Sequence, residues 1–157
     1  MKDETKKILY SIFKKSSINY YYSSKFFPKD IRDQVAVLYA FVRVVDNFVD
    51  SIPQDIDGFY KFKNFYDNFP ENYINEEQIH QDELIVIKEF KKLAAEKNFL
   101  KEWIDSFFES MEMDFSKQRY ENMEELYKYM YGSAVVIGYM LCKIFDVKED
   151  AYIFAEH

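Results

Sequence analysis

The sequence predicts an all-α fold. Three observations carry this reading. The 157-residue chain holds only 3 Gly and 3 Pro. Its apolar residues recur at helical spacing along most of its length. Its prolines, Pro28, Pro53 and Pro70, fall where helical stretches would stop. A chain so poor in turn formers cannot supply the many tight turns of an all-β fold. The length suits one domain with a sizeable core. No repeat, low-complexity tract or linker divides it, so residues 1–157 read as a single domain.

Taken in order, residues 3 to 15 form an amphipathic helix with Ile8, Leu9, Ile12 and Phe13 on one face. "SSINYYYSSKFF" continues as helix toward Pro28. A long helix runs from about Lys29 to Ser51, closed by Pro53. "FYKFKNFYDNFP" is a short aromatic helix ending before Pro70. Residues 82 to 97 follow, with Leu84, Ile87, Phe90, Lys91 and Ala94 at helical spacing. The next helix spans Leu100 to about Phe115. Asn122 and Glu125 make a capping-box-like start for a helix through about Phe145. A last helix begins near Lys148 in "KEDAYIFAEH".

Composition excludes several classes of function. The net charge is -7 and no basic block stands out, so nucleic-acid binding has no footprint. "MKDETKKILY" carries acids and no long apolar stretch, so it is not a signal peptide. The longest near-apolar run, "SAVVIGYMLC", is half of the roughly 20 residues a spanning helix needs. Cys142 is the only cysteine, which makes a reducing, cytoplasmic compartment the expectation. Aromatic residues reach 20%. Compositional bias with ordinary core packing accounts for this. So does a cavity walled by aromatic rings, whose negative faces stabilise cations.

The long helix holds the most informative pattern. At 100° per residue, Ile31, Val35, Leu38, Val42, Val45 and Val49 form one apolar stripe. Val37, Phe41, Val44 and Phe48 cover another side, and Ala36 and Ala40 fill part of the remainder. A helix this apolar is expected to be buried. Its polar exceptions Tyr39, Arg43, Asp46 and Asp50 are spaced 4, 3 and 4, within roughly 60° of arc. Burying two carboxylates one turn apart is costly, and they repel. A divalent cation such as Mg2+, with waters and phosphate oxygens completing its shell, would satisfy both. An ion pair with Arg43 at the helix end is the structural alternative. The metal reading expects both acids to line an internal cavity.

Two stretches resemble the squalene and phytoene synthase family. "SSKFFPKDIRDQVAVLYAFVRVVDNFVD" resembles its first signature, with the "LYAFVRVVD" core and a D-x-x-x-D motif. "MEMDFSKQRYENMEELYKYMYGSAVVIG" resembles a second, with Met-x-Met-Asp, Arg-Tyr and then Tyr-x-Tyr-x-x-Ala-x-x-x-Gly. The resemblance implies an all-α isoprenoid (terpenoid) synthase-type helical bundle around a central cavity. It implies head-to-head joining of two prenyl diphosphates, farnesyl or geranylgeranyl diphosphate. The route is Mg2+-assisted diphosphate ionisation and a cyclopropyl intermediate, and the product is a phytoene- or squalene-type hydrocarbon. Asp46 and Asp50 match the first aspartate motif as metal ligands, and these two with Arg43 match catalytic positions. Tyr39 and Arg43 match diphosphate contacts. Ser17 and Asn19 fall where the family has a Ser-x-Ser/Thr pair, from which Asn19 departs. Tyr129 matches a cavity-facing tyrosine, and Ser133 and Gly138 match wall positions. Asp114 matches the acid of Met-x-Met-Asp.

The resemblance also implies that residues 1–157 are the amino-terminal part of such a domain. The family's second aspartate motif follows a segment like "AEH", and the sequence stops at His157. On that expectation the 157-residue chain by itself is not a complete enzyme, and apolar helix faces are left open to association. Val135 stands where the family has Gly. Tyr129, Ser133 and Val136, spaced 4 and 3, are expected to share a face toward the substrate. Three rival readings stand beside this one. They are a synthase-like member without catalysis, a helical interaction module with a buried ion pair, and a head-to-tail synthase or terpene cyclase. A peripheral membrane contact for release of an apolar product is an open partner, and oligomeric state and substrate length are open as well.

Overall fold

The computed structural model describes residues 1–69, 79–116, 120–148 and 150–152. All regular elements among them are helical, and no strand occurs among the described residues. In chain order they are α1 (Asp3–Ser16), α2 (Ile18–Ser23) with a 3-10 turn (Ser24–Phe26), α3 (Lys29–Asp50), α4 (Ile56–Asn68), α5 (Gln81–Glu96), α6 (Lys101–Ser116), α7 (Met123–Met130), a π-helical turn (Tyr131–Val135) and α8 (Val136–Ile144). The predicted boundaries agree to within a few residues. The last predicted helix lies mostly outside the described residues. Packing groups the chain into two compact units, Met1–Leu93 and Ala94–His157. Their boundary falls inside α5, where composition gives no linker.

The first unit is built on α3. Helix α1 lays Leu9 and Phe13, both fully buried, against it. Phe41, on the buried side of α3, stacks on Phe90 of α5 with ring centroids 3.6 Å apart and planes 4° from parallel. It also meets Tyr66 at 5.6 Å and Phe62 at 6.0 Å, both on α4. Aromatic content here is spent largely on core packing, and each such ring buries on the order of 150–250 Å2. Helix α4 starts three residues before its aromatic run because Asp55 caps it, accepting from Gly58 N at 2.9 Å. A Cβ at position 58 would press on that carboxylate, which would have to turn aside.

The second unit packs α6 against the α7–π–α8 segment. The predicted cap is present: Asn122 Oδ1 accepts from Glu125 N at 2.9 Å, and Glu125 reaches back to Glu121 N at 3.1 Å. With glycine scarce, Asn98 and Asp146 take the left-handed positions after α5 and α8, at φ 54° and 53°. Val147 N then donates to Cys142 O at 2.9 Å, closing the last turn of α8. Lys97 pairs with Asp146 at 3.0 Å.

Among the described residues no helix is long and apolar enough to cross a membrane.

Candidate functional site

Helix α3 is unbroken from Lys29 to Asp50, so Tyr39, Arg43, Asp46 and Asp50 keep the single line that their spacing predicts. What the line faces differs from the expectation. The buried residues of α3 are Val35, Ala36, Val37, Leu38, Ala40, Phe41, Val45, Phe48 and Val49. The polar line is the open side: the Arg43 and Asp46 side chains are 39% and 37% exposed, and Asp50 is exposed. The cost of burying two carboxylates is therefore largely avoided. Arg43 Nη1 lies 3.5 Å from Asp46 Oδ2, a long ion pair that orients the acid.

The carboxyl end of α3 is held firmly just where Asp50 sits. Its last carbonyls find donors: Ser51 N on Asn47 O at 3.2 Å, Asp55 N on Phe48 O at 2.9 Å, and Gln54 Nε2 on Val49 O at 3.0 Å. This fixes the backbone under the second acid with two backbone donors and one side-chain donor from "SIPQD", a stretch that reads in sequence only as a stop signal. At the other end of the line Tyr39 is half-buried. Its ring lies 4.7 Å from Phe13 and 5.7 Å from Tyr20, and burial, then the nearby Tyr20, push its hydroxyl above the usual tyrosine range. The Tyr20 contact brings α2 to the line. Ser17, at the α1–α2 junction, makes no side-chain cap bond, and Asn19 is exposed on α2. Tyr39, Arg43, Asp46, Asp50, Ser17 and Asn19 thus all belong to the first unit.

Two hard oxygen ligands one turn apart, both reachable by water, suit a hydrated divalent ion. Among the described residues no group of three or more His, Cys, Asp or Glu side chains could hold a metal. Waters and phosphate oxygens could complete the shell of an ion held by these two acids.

Tyr129, Ser133 and Gly138 belong to the second unit. Tyr129 Oη donates to Asp114 Oδ2 at 3.1 Å, and the Tyr120 ring lies 5.2 Å from it. Burial and then the Asp114 charge drive the Tyr129 hydroxyl well above its usual range. Asp114 therefore has a structural task on this face. Ser133 is half-buried within the π-turn, and Gly138 is half-buried on α8. The π-turn corrects the expected continuous helix. One extra residue in the turn breaks the 3.6 period, so the spacing of Tyr129, Ser133 and Val136 does not keep them on one face. Val136 is fully buried.

Sequence reasoning missed Gly132. A Cβ there would strike the Ser106 carbonyl and the Ser110 hydroxyl of α6. The same buried Ser110 donates to Tyr129 O at 3.1 Å, at the junction where α-helix becomes π-helix. This close approach lies three residues before Val135, the position at which the resemblance expects a glycine. Also missed was a network in the first unit. Lys6 Nζ pairs with Asp33 Oδ2, and Tyr10 Oη donates to Asp33 Oδ1 at 2.7 Å. Only the i, i+4 spacing of Lys6 and Tyr10 hinted at it.

The profile of the squalene/phytoene synthase family matches residues 13–157. The match covers most of the chain, and the protein belongs to that family, whose members are all-α prenyl transferases. No solved structure matches the chain.

Proposed function

We propose that this chain supplies the first metal-binding side of a head-to-head prenyl synthase, which joins two farnesyl or geranylgeranyl diphosphates into a squalene- or phytoene-type hydrocarbon. The observation that carries it is the family match together with the line Tyr39–Arg43–Asp46–Asp50 on the open side of α3. In this reading Asp46 and Asp50 hold Mg2+, which would withdraw electron density from the diphosphate leaving group. Arg43 orients Asp46 and presents its cation to phosphate oxygens. Tyr39, with its hydroxyl kept protonated at neutral pH, offers a neutral hydrogen bond to the same anion. Ser17 and Asn19 add donors from the α1–α2 junction. Tyr129, Ser133 and Gly138 are assigned to the prenyl chains. The cyclopropyl route and carotenoid-type product belong to the same proposal. The retained acids favour it over a synthase-like member without catalysis.

The test is binding first and chemistry second. Farnesyl or geranylgeranyl diphosphate should bind the purified chain in a Mg2+-dependent manner, and Asp46→Asn or chelation should remove the Mg2+ dependence. Binding that is indifferent to both would overturn the assignment of the acids. Hexane extraction after incubation with Mg2+ and either diphosphate then shows whether a C30 or C40 hydrocarbon forms.

A further inference from the structure

We propose that the cleft between α1, residues 21–27 and the first turn of α3 binds a compact soluble diphosphate, with inorganic pyrophosphate as its simplest form, at a site separate from the acid line. The cleft has a volume of about 580 Å3, a size that suits a small ligand. Its cations are Lys6, Lys7, Lys25, Lys29 and Arg32. Its acids are Asp3 and Asp33. Five cations against two acids leave an excess of three positive charges, in a chain whose net charge is -7. Lys6 is engaged, since it pairs with Asp33 and also feels Asp3 and Asp30. Asp33 in turn has its two oxygens taken by Lys6 and Tyr10. Among the described residues Lys7, Lys25, Lys29 and Arg32 have no ion-pair partner.

Two of the unpaired cations are held by ring faces instead. The Arg32 guanidinium lies 5.0 Å from the Tyr10 centroid and 5.6 Å from that of Tyr21. Lys25 Nζ lies 4.6 Å over Tyr22 and 5.6 Å over Tyr21. Rings that position cations without a paired carboxylate leave the charge available to an incoming anion. Arg32 Nε is buried with no hydrogen-bond partner, a costly state for a donor that a phosphate oxygen reaching the guanidinium would relieve. The amino end of α3 adds to the same field. Lys29, its first residue, lines the cleft, and Pro28 at the N-cap makes no side-chain cap bond. The first-turn N–H groups and the positive end of the helix dipole favour an anion there.

Charge and ring geometry decide which anion. One phosphate group carries about 1.5–2 negative charges near neutral pH, so a single phosphate only partly meets an excess of three, and two linked phosphates match it better. The rings favour an inorganic anion over a nucleotide. Tyr10 and Tyr21, both in the lining, have cations over their faces, and a ring used in this way is no platform for stacking a base. The lysines and Arg32 supply the counter-charge themselves, so this site needs no divalent ion. It is also remote from the acid line. Arg32 and Asp46 are 14 residues apart on one unbroken helix, about 21 Å along its axis. The proposal does not rest on the reaction proposed above.

The experiment titrates inorganic pyrophosphate into the full 157-residue chain in excess EDTA, so that no Mg2+ reaches Asp46 and Asp50. Calorimetry measures the binding, and lysine acylation read by mass spectrometry locates it. Pyrophosphate should bind saturably and slow acylation of Lys7, Lys25 and Lys29 several-fold. Lys61, exposed on α4, should react as before. Added salt should weaken the binding, and sulfate at matched ionic strength should protect several-fold less. The double variant Lys25→Glu/Lys29→Glu should lose affinity several-fold with an unchanged thermal melt, since both side chains are exposed. Asp46→Asn should bind pyrophosphate in EDTA as wild type does, which separates this site from the acid line. Absence of saturable binding in EDTA would overturn the proposal. So would wild-type affinity in the double variant, or equal protection by sulfate, which marks charge screening alone. ADP binding several-fold tighter than pyrophosphate would overturn the assignment to an inorganic anion.

Discussion

The two ends of α3 treat their carboxylates in opposite ways. At the amino end Asp33 is 16% exposed and closed in by a short ion pair from Lys6 and a hydrogen bond from Tyr10. At the carboxyl end Asp46 is 37% exposed beside a 3.5 Å contact with Arg43, and Asp50 is exposed. An acid sunk against neighbouring helices with two donors at close range stabilises the fold. Acids on the open side of a rigid helix, one turn apart, contribute little to the fold and remain within reach of a hydrated ion. The same residue type on the same helix thus has two tasks, separated by exposure and donor distance.

The largest way to break the comparison is to remove the spine that both ends share. Phe41 is buried and stacks on Phe90. Phe41→Ala should cost about 3–5 kcal/mol, measured by urea denaturation. A loss under ~1 kcal/mol would mean that α3 is not anchored through this ring.

Next in size is Asp33→Asn, which keeps the shape and removes the charge. It leaves Lys6 without its carboxylate and weakens the Tyr10 bond, and should cost about 1–2 kcal/mol. The pH profile sharpens the point. Burial pushes the Asp33 carboxyl up, but the bonds from Lys6 and Tyr10 outweigh it and hold the carboxyl below its ordinary value of 3.8. A carboxylate with a depressed pKa adds stability that is present above the unfolded value and is lost as pH falls through the folded one. Wild-type stability should therefore decline below about pH 4, and the Asn variant should show a flatter acid limb. Identical acid limbs would remove Asp33 from the account. At the alkaline end burial, and then the Asp33 bond, raise the Tyr10 hydroxyl above its ordinary value of 10.0. Stability should decline as pH rises past about 10, less so in Tyr10→Phe.

The comparison also explains what the sequence made legible. Helices, caps and the Tyr39–Asp50 line follow from local spacing, and the apolar period of α3 named most of its buried residues. Burial of the acid line was misjudged because an apolar composition around a helix does not say which side its neighbours leave open. The Lys6–Tyr10–Asp33 network joins residues 23 and 27 apart in sequence, which no local period encodes. The π-turn was invisible because no local period encodes it; Gly132, which comes close to Ser106 and Ser110 of α6, lies within it. The exposure of Ile18, Tyr22 and Phe26 was not foreseen either, since large apolar residues in a helical stretch read as core until exposure shows otherwise.

The smallest effect on stability is expected at the carboxyl end. Asp46→Asn removes a long, partly exposed ion pair, and such pairs contribute about 0–1 kcal/mol. It also removes a negative charge beside Asp50 and at a helix carboxyl terminus, where the macrodipole disfavours anions. These terms have opposite signs, so the unfolding free energy should stay within about 0.5 kcal/mol of wild type, and Asp50→Asn should be neutral or slightly stabilising. The metal response should separate these variants from the Asp33 variant. Mg2+ added with a prenyl diphosphate should raise the melting temperature of wild type and of Asp33→Asn, since ligands of the native state stabilise it by mass action. It should leave Asp46→Asn and Asp50→Asn unmoved. If instead Asp46→Asn unfolds the chain as readily as Asp33→Asn and still responds to Mg2+, the two ends of α3 do the same work, and both acids are structural.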